Sequence, residues 1–241
     1  MKTLITGSKG KLGTELVSLI PNSLHPVSKE LDITNRSSVF DFINHEQPNL
    51  IIHCAAITGI RECEEKKSLA WNVNVLGTEN IVKACEEYQN DCYFVYVSTA
   101  CVFRGDIGDY IETDIPYPKN FYALTKLLSE FIVNSSGITK KLVIRTNFVG
   151  REKWPYRKAF IDRFGTYLFA DDLAKAMISV IAKGVTGTVH VCGEEKFSMF
   201  ELAKITTPDI LPMTLAEYEG PPLTVNMTLR SDRISPFKIT K

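Results

Sequence analysis

The chain has 241 residues, 44% of them apolar and 23% charged, and Lys+Arg 28 balances Asp+Glu 28. That length fits one large domain, or one domain with a small appendage, and the neutral charge excludes a nucleic-acid binder or an anionic-membrane binder driven by net charge. Only Thr3-Leu4-Ile5-Thr6 separates Met1-Lys2 from Gly7, and no apolar run approaches a membrane span, so a cytoplasmic protein without a membrane partner is expected.

The six cysteines are Cys54, Cys63, Cys85, Cys92, Cys101 and Cys192. None form a C-x-x-C pair, so reduced thiols are expected, and no metal site.

Lys2 to Thr6 reads as a short strand running into Gly7-Ser8-Lys9-Gly10-Lys11-Leu12-Gly13. Leu12, Leu16, Val17 and Ile20 then repeat at helical spacing until Pro21. Strand, G-x-x-G-x-x-G turn and helix is the context in which glycines let a backbone approach a pyrophosphate at a helix N-terminus. Leu24 to Ser28 is expected as a second strand, whose end faces the adenosine ribose of a dinucleotide. Where an NAD site places an acid, this chain has Ser28 and Lys29, with Lys9 in the glycine loop. These groups suit a 2′-phosphate, hence NADPH over NADH, and they suit solvated surface positions equally well.

Asp32 and Ile33 follow, and Ser37 to Asn44 reads as helix. Asn49 to Ala56 is a near-continuous apolar run, the pattern of a parallel strand buried on both faces, with His53 a packed strand residue. Ser68 to Gln89 reads as one long helix. Tyr93 to Val97 is a strand that delivers Ser98 and Thr99 at its end. A helix over 119–134 places Tyr122 and Lys126 one turn apart on one face. A hydroxyl, a phenol and an amine that converge suit proton chemistry on a carbonyl, with the Lys126 ammonium expected to lower the Tyr122 pKa. Alone, Tyr-x-x-x-Lys is also an ordinary pair on an amphipathic helix.

Lys141 to Thr146 is a further strand, so strands and helices alternate through the first 150 residues. The pattern predicts an α/β fold: a Rossmann-type doubly wound parallel sheet with a small, shortened C-terminal substrate-binding part. Residues 1–150 and roughly 165–195 form the expected NAD(P)-binding domain, and roughly 151–164 and 196–241 the substrate-binding region. The stretch 151–164 is basic and aromatic without a clear period, a loop able to hold a phosphate and stack a base. Asp171 and Asp172 read as the N-cap of a helix to Lys183, Gly187 to Cys192 as a strand, and Ser198 with Glu201 as a capping box.

Seven motifs in one order resemble the extended short-chain dehydrogenase/reductase family: Gly7-x-x-Gly10-x-x-Gly13, LDIT at 31–34, HCAA at 53–56, NVLGT at 74–78, STACVF at 98–103, YALTK at 122–126 and RTNFVG at 145–150. Within that family the likeness is greatest to the dTDP-4-dehydrorhamnose reductases. It covers residues 1–150 well and thins through FADDLAKAM and TVHVCG.

The resemblance implies reduction of a nucleotide-linked 4-keto-6-deoxy sugar in deoxysugar biosynthesis. Tyr122 would be the proton donor, Lys126 its electrostatic partner, and Thr99 the holder of the substrate carbonyl. Gly7, Gly10 and Gly13, with Lys9, Lys11 and Leu12, would cradle NADP, with Cys54, Ala55 and Ala56 beside it. Asp32 and Ile33 would flank the adenine. A homodimer completes the expectation.

Two departures stand out. The segment between Gly150 and Phe169 is shorter than in relatives. Ala100-Cys101 stands where rhamnose-type reductases carry Asp-Tyr and sugar dehydratases Asp-Glu. Cys101 resembles the cysteine with which GDP-fucose synthase epimerises its sugar before reduction, which implies a bifunctional 3,5-epimerase/4-reductase as an alternative. That chemistry needs a second acid/base group, and Lys153 and Lys158 are in the shortened segment without a motif match. A small buried packing residue is the other reading of Cys101. Two further alternatives stay open: an NAD-dependent nucleotide-sugar epimerase, and a non-catalytic cofactor-binding regulatory subunit.

Overall fold

The computed structural model describes residues 1–241. Its first half builds a five-stranded parallel sheet from β1 (Thr3–Thr6), β2 (Leu50–His53), β3 (Tyr93–Val97), β4 (Lys140–Arg145) and a later strand, β9 (Gly187–His190). The helices between them are α1 (Lys11–Leu19), α2 (Arg36–Glu46), α3 (Ile60–Glu65), α4 (Lys67–Ala70), α5 (Gly77–Tyr88) and α6 (Phe121–Ser135).

Alternate strand residues feed two cores. Ile5, Ile52, Val95 and Leu142 enter one with Leu12 and Leu16 of α1, while Leu4, Ile51, Phe94 and Val143 enter the other with Val39, Ile43 and Ile81. A strand buried on both faces must be apolar at every position, which is why β2 and β3 read as unbroken apolar runs. His53 fits such a strand because its ring is bracketed by Thr6 Oγ1 at 2.6 Å and Thr78 Oγ1 at 3.0 Å. Burial pushes this histidine down to about 3, so it is neutral.

Two expected elements of the first half differ. The strand over 24–28 is reduced to one bridge, Leu24 to Leu4, with Ile5 N donating to Leu24 O and Leu24 N to Thr3 O. Pro26 has no N–H to continue the ladder, and 28–30 is a turn. The long helix over 68–89 is α4 and α5 joined by a π-helical stretch, Trp71–Leu76. Its wider turn carries Asn74, whose side chain accepts from Ile57 N at 2.7 Å and donates to Ile57 O and to Thr125 Oγ1. The bulge thus fastens the loop after β2 to α6, a placement typical of π-bulges near functional sites.

The Leu24 segment lies on one side of β1 and β2 on the other. The winding therefore reverses at β1, and the crevice at that reversal, at the carboxyl ends of the strands, is where open α/β sheets bind ligands.

The rest of the chain makes short pieces: β5 (Phe148–Val149), β6 (Lys158–Phe160), β7 (Phe164–Gly165), β8 (Leu168–Phe169), α7 (Ala170–Ala182), β10 (Phe197–Ser198), α8 (Met199–Thr206), β11 (Leu211–Met213) and β12 (Asn226–Met227). A three-stranded sheet runs β10-β7-β12 and a two-stranded one β11-β6. The stretch expected as a loop over 151–164 thus contains a strand, and Trp154 packs there with Ala159, Ala203 and Ile210. The capping box forms as read, with Glu201 N donating to Ser198 Oγ at 3.1 Å and Ser198 N to Glu201 Oε2 at 2.8 Å. Asp171 and Asp172 do not cap α7. Phe169 holds the N-cap position, and both acids occupy the first turn, where the helix dipole favours them. Asp172 Oδ1 and Oδ2 accept from Thr240, which ties down the C-terminus. No helix is long and apolar enough to cross a membrane.

Candidate active site

β3 ends at Val97, and the chain turns away at Thr99. Here the expected extended geometry fails: Ala100–Val102 is a 3-10 turn, and Thr99 caps it by accepting from Cys101 N at 3.1 Å. Thr99 and Cys101 nonetheless line one cleft, because a three-residue turn brings the thiol back to the side of the hydroxyl. Helix α6 starts under an Asn120 cap, whose Oδ1 accepts from Ala123 N at 2.9 Å. That cap sets the first turn, and Tyr122 and Lys126 reach the same cleft one turn apart.

The cleft has a volume of about 570 Å³, the range of small-molecule sites. Gly7, Gly10, Lys11, Leu12 and Gly13 form one wall, with Cys54 and Ala56 from the end of β2. The glycine turn fits a dinucleotide pyrophosphate. Gly7 has φ +70°, and a Cβ there would lie 2.7 Å from Ala55 N. A Cβ on Gly13 would lie 2.2 Å from Gly7 O. Both positions therefore require glycine, and α1 begins with no side-chain cap and no acid in its first turn, leaving its amide donors to an anion.

Ser28, Lys29, Asp32, Ile33 and Ala55 are outside the cleft lining. Ala55 instead backs Gly7 through its main chain. Ser8 Oγ donates to His25 O at 3.0 Å, which clips the chain leading to Ser28 and Lys29 against the glycine loop. Asp32 turns onto its neighbour, accepting from Thr34 N at 2.9 Å, and Ile33 packs under Gly77. Lys9 and Lys11 share a second, polar recess with Arg151, and Lys11 is ion-paired with Glu152.

The electrostatics correct one expectation. Burial raises the Tyr122 phenol, and the group that pulls it down is Thr99 by hydrogen bonding, not Lys126. Burial likewise pushes the Lys126 amine down to about 7. Lys126 is stacked on a different phenol, Tyr96, with Nζ 4.2 Å from the ring centre. Behind the site Glu130 accepts from Ser98 Oγ and from Arg145 Nη2 at 2.8 Å, an ion pair sealed in the core.

Neither lysine considered as a second acid/base group reaches the cleft lining. Lys158 is exposed and pairs with Glu217 at 3.1 Å, and Lys153 is exposed. The cleft is closed instead by residues not singled out from the sequence, among them Tyr156, Arg163, Tyr167, Met199 and Met227. Arg163 and Tyr156 belong to the basic, aromatic stretch, which was the one signal for them. Met199 and Met227 gave none, since only the folding of the C-terminal segment brings them here.

The family model described as the RmlD substrate binding domain matches residues 1–160. A dTDP-4-dehydrorhamnose reductase of Aggregatibacter actinomycetemcomitans is 30% identical over 231 residues, covering 84% of this chain and 76% of that protein. The crystal structure of the dTDP-4-dehydrorhamnose reductase of Bacillus anthracis in complex with NADP superimposes with a TM-score of 0.87 at 27% identity, covering 95% of this chain and 90% of that one. The Clostridium acetobutylicum dTDP-4-dehydrorhamnose reductase structure gives a TM-score of 0.87 at 29% identity over the same shares. With a glycine turn, a Thr-Tyr-Lys set and this overall likeness in one chain, the protein belongs to the RmlD substrate binding domain family, the family of the dTDP-4-dehydrorhamnose reductases.

Proposed function

We propose that the protein is an NADPH-dependent reductase of a nucleotide-linked 4-keto-6-deoxy sugar, acting in deoxysugar biosynthesis. The observation that carries this reading is the convergence of Thr99, Tyr122 and Lys126 on a cleft whose opposite wall is the glycine turn. The dihydronicotinamide of NADPH supplies the hydride. Tyr122 donates its phenolic proton to the oxygen that gains charge as the ketone is reduced, and Thr99 Oγ1 holds that oxygen. Gly7, Gly10 and Gly13 with the α1 N-terminus receive the pyrophosphate, beside Cys54 and Ala56. Lys9, Ser28 and Lys29 supply the positive and hydroxyl groups for a 2′-phosphate, and Asp32 and Ile33 flank the adenine.

Residues 1–150 and 165–195 form the cofactor half in this account. Residues 151–164 and 196–241 form the substrate half. Leu124 and Phe131, seven residues apart on one face of α6, are exposed apolar side chains that fit a homodimer contact, testable by sedimentation. Six free thiols fit a reducing, cytoplasmic setting.

Cys101 favours a second reading, a bifunctional 3,5-epimerase/4-reductase, since its residue lines the cleft together with Thr99 and Tyr122. A screen of nucleotide-linked 4-keto-6-deoxy sugars that follows NADPH absorbance tests the main reading. Turnover with at least one such sugar is expected. Tightly bound NAD with no net oxidation of NADPH would point to an epimerase instead.

A further inference from the structure

Two arginines are buried in this protein, and they differ in one respect. Arg145 is paired with Glu130. Arg163, only 8% exposed, has no carboxylate partner. The neighbouring acid, Asp162, is turned away and accepts from Leu215 N at 2.9 Å. A buried cation without an anion is costly and persists where something compensates it.

The guanidinium has five N–H donors. Nε donates to Thr224 O at 2.9 Å and Nη2 to Thr224 Oγ1 at 3.4 Å. The other contacts are thioethers, Met199 Sδ at 3.0 Å from Nη1 and Met227 Sδ at 3.4 Å from Nη2. Thioether sulfur is a weak acceptor, so much of the fork is held without strong partners, in a residue that lines the cleft. A second group in the same wall is under-satisfied: Tyr167 lines the cleft, and its buried hydroxyl has no hydrogen-bond partner. Arg163 and Tyr167 both line this one cleft.

The position indicates which anion. Met227 Sδ also touches Cys101 Sγ at 3.5 Å, so the guanidinium is no more than about 7 Å from the thiol. Cys101 N is bonded to Thr99 Oγ1. The cation and the hydroxyl that would hold the reacting oxygen thus line one cleft, linked through Met227 and Cys101. The cation is built into the C-terminal part, among Met199, Thr224 and Met227, whereas the glycine turn that fits the cofactor pyrophosphate belongs to the other wall.

We propose that Arg163, with the Tyr167 hydroxyl as a second donor, receives the diphosphate of the nucleotide-sugar substrate. The proposal rests on the nucleotide-sugar reading of the cleft. It assigns to the shortened segment after Gly150 the anchor that orients the sugar toward Tyr122, because a forked guanidinium fixes a phosphate in direction as well as in place.

The test is calorimetric titration of the NADP-loaded protein with dTDP, UDP and GDP, and with the matching nucleosides, for the wild type, Arg163→Gln, Arg163→Lys and Tyr167→Phe. Gln keeps a donor toward Thr224 O and removes the charge. The diphosphate that binds the wild type best should bind Arg163→Gln about 10- to 100-fold more weakly, the loss expected for a charge-assisted pair. Nucleoside and NADPH affinities should stay within about twofold, and Arg163→Lys should recover part of the loss. Should Arg163→Gln fail to fold, Tyr167→Phe, which deletes only an unpartnered hydroxyl, carries the same prediction at about 3- to 10-fold. Unchanged diphosphate affinity, loss confined to NADPH, or no diphosphate binding by the wild type overturns the proposal. Arg163-dependent binding in a protein that reduces no keto sugar leaves the subsite standing and removes the proposed reaction. Reduction with an unaltered substrate KM in Arg163→Gln does the reverse.

Discussion

The Lys126 amine lies 4.2 Å from the centre of the Tyr96 ring, and both side chains are buried. An aromatic face offsets part of the cost of burying an ammonium, but only part. Burial brings the folded-state value from 10.5 to about 7. Below about pH 7 the folded chain holds the charge, and the cost of burying it is fully present. Between about 7 and 10.5 the unfolded chain binds more protons than the folded one, so stability rises with pH through that window. Lys126→Met removes the titration. The variant should exceed the wild type in Tm by most at pH 6, and the gap should shrink steadily toward pH 10. A gap that is constant across that range contradicts the assignment.

Cofactor choice is tested at the glycine loop, where the clip between Ser8 and His25 O holds the segment that leads to Ser28 and Lys29. Charge-assisted contacts to a 2′-phosphate are worth about 1.5–3 kcal/mol each. Lys9→Ala combined with Lys29→Ala should lower the NADPH-to-NADH ratio of kcat/KM by at least about tenfold. Steady-state kinetics with both cofactors decides, and an unchanged ratio would show that the lysines are solvated surface groups.

The Glu130–Arg145 pair carries a stability prediction. Its side chains are 3% and 7% exposed, and Glu130 also accepts from Ser98, next to Thr99. Glu130→Gln strips the compensation from a buried guanidinium and should cost about 3–5 kcal/mol in urea denaturation. A loss under about 1 kcal/mol, the value of a surface pair, would mean that water reaches the site.

Cys101 is tested in deuterated water, with a 4-keto-6-deoxy nucleotide sugar and no NADPH. If the thiol exchanges protons beside the ketone, deuterium enters C3 or C5 with the wild type and not with Cys101→Ser. Reduction of a sugar that is already epimerised should survive in the variant. Absence of deuterium with the wild type, on a sugar it reduces, makes Cys101 a packing residue against Met227.

What the residues disclosed, and what they concealed, follows the range of each interaction. Unbroken apolar runs and a glycine turn are local, so β1 to β4, the glycine wall of the cleft and the Tyr122–Lys126 face were readable. The Leu24 strand misled because Pro26 withdraws a donor that an apolar run does not reveal. The π-helical stretch was invisible because Asn74 earns its wider turn from Ile57 and Thr125, in other elements. The Tyr122–Lys126 pairing was read from helix spacing alone, whereas the fold places Tyr96 under Lys126 and Thr99 beside Tyr122. Arg163 lay in view within a basic stretch, but its lack of a carboxylate partner exists only once Thr224, Met199 and Met227 surround it.

The central claim is that hydride arrives at a sugar ketone while Tyr122 supplies the proton. The most direct measurement uses NADPH carrying deuterium at the transferable nicotinamide position, with an accepted 4-keto-6-deoxy nucleotide sugar, and locates the label in the product by NMR. The account predicts one deuterium at C4 for each NADPH consumed. In Tyr122→Phe, NADPH should still bind but turnover should fall by about 10²–10⁴-fold. Deuterium retained on the cofactor with every such sugar, or a folded Tyr122→Phe variant that turns over like the wild type, would contradict it.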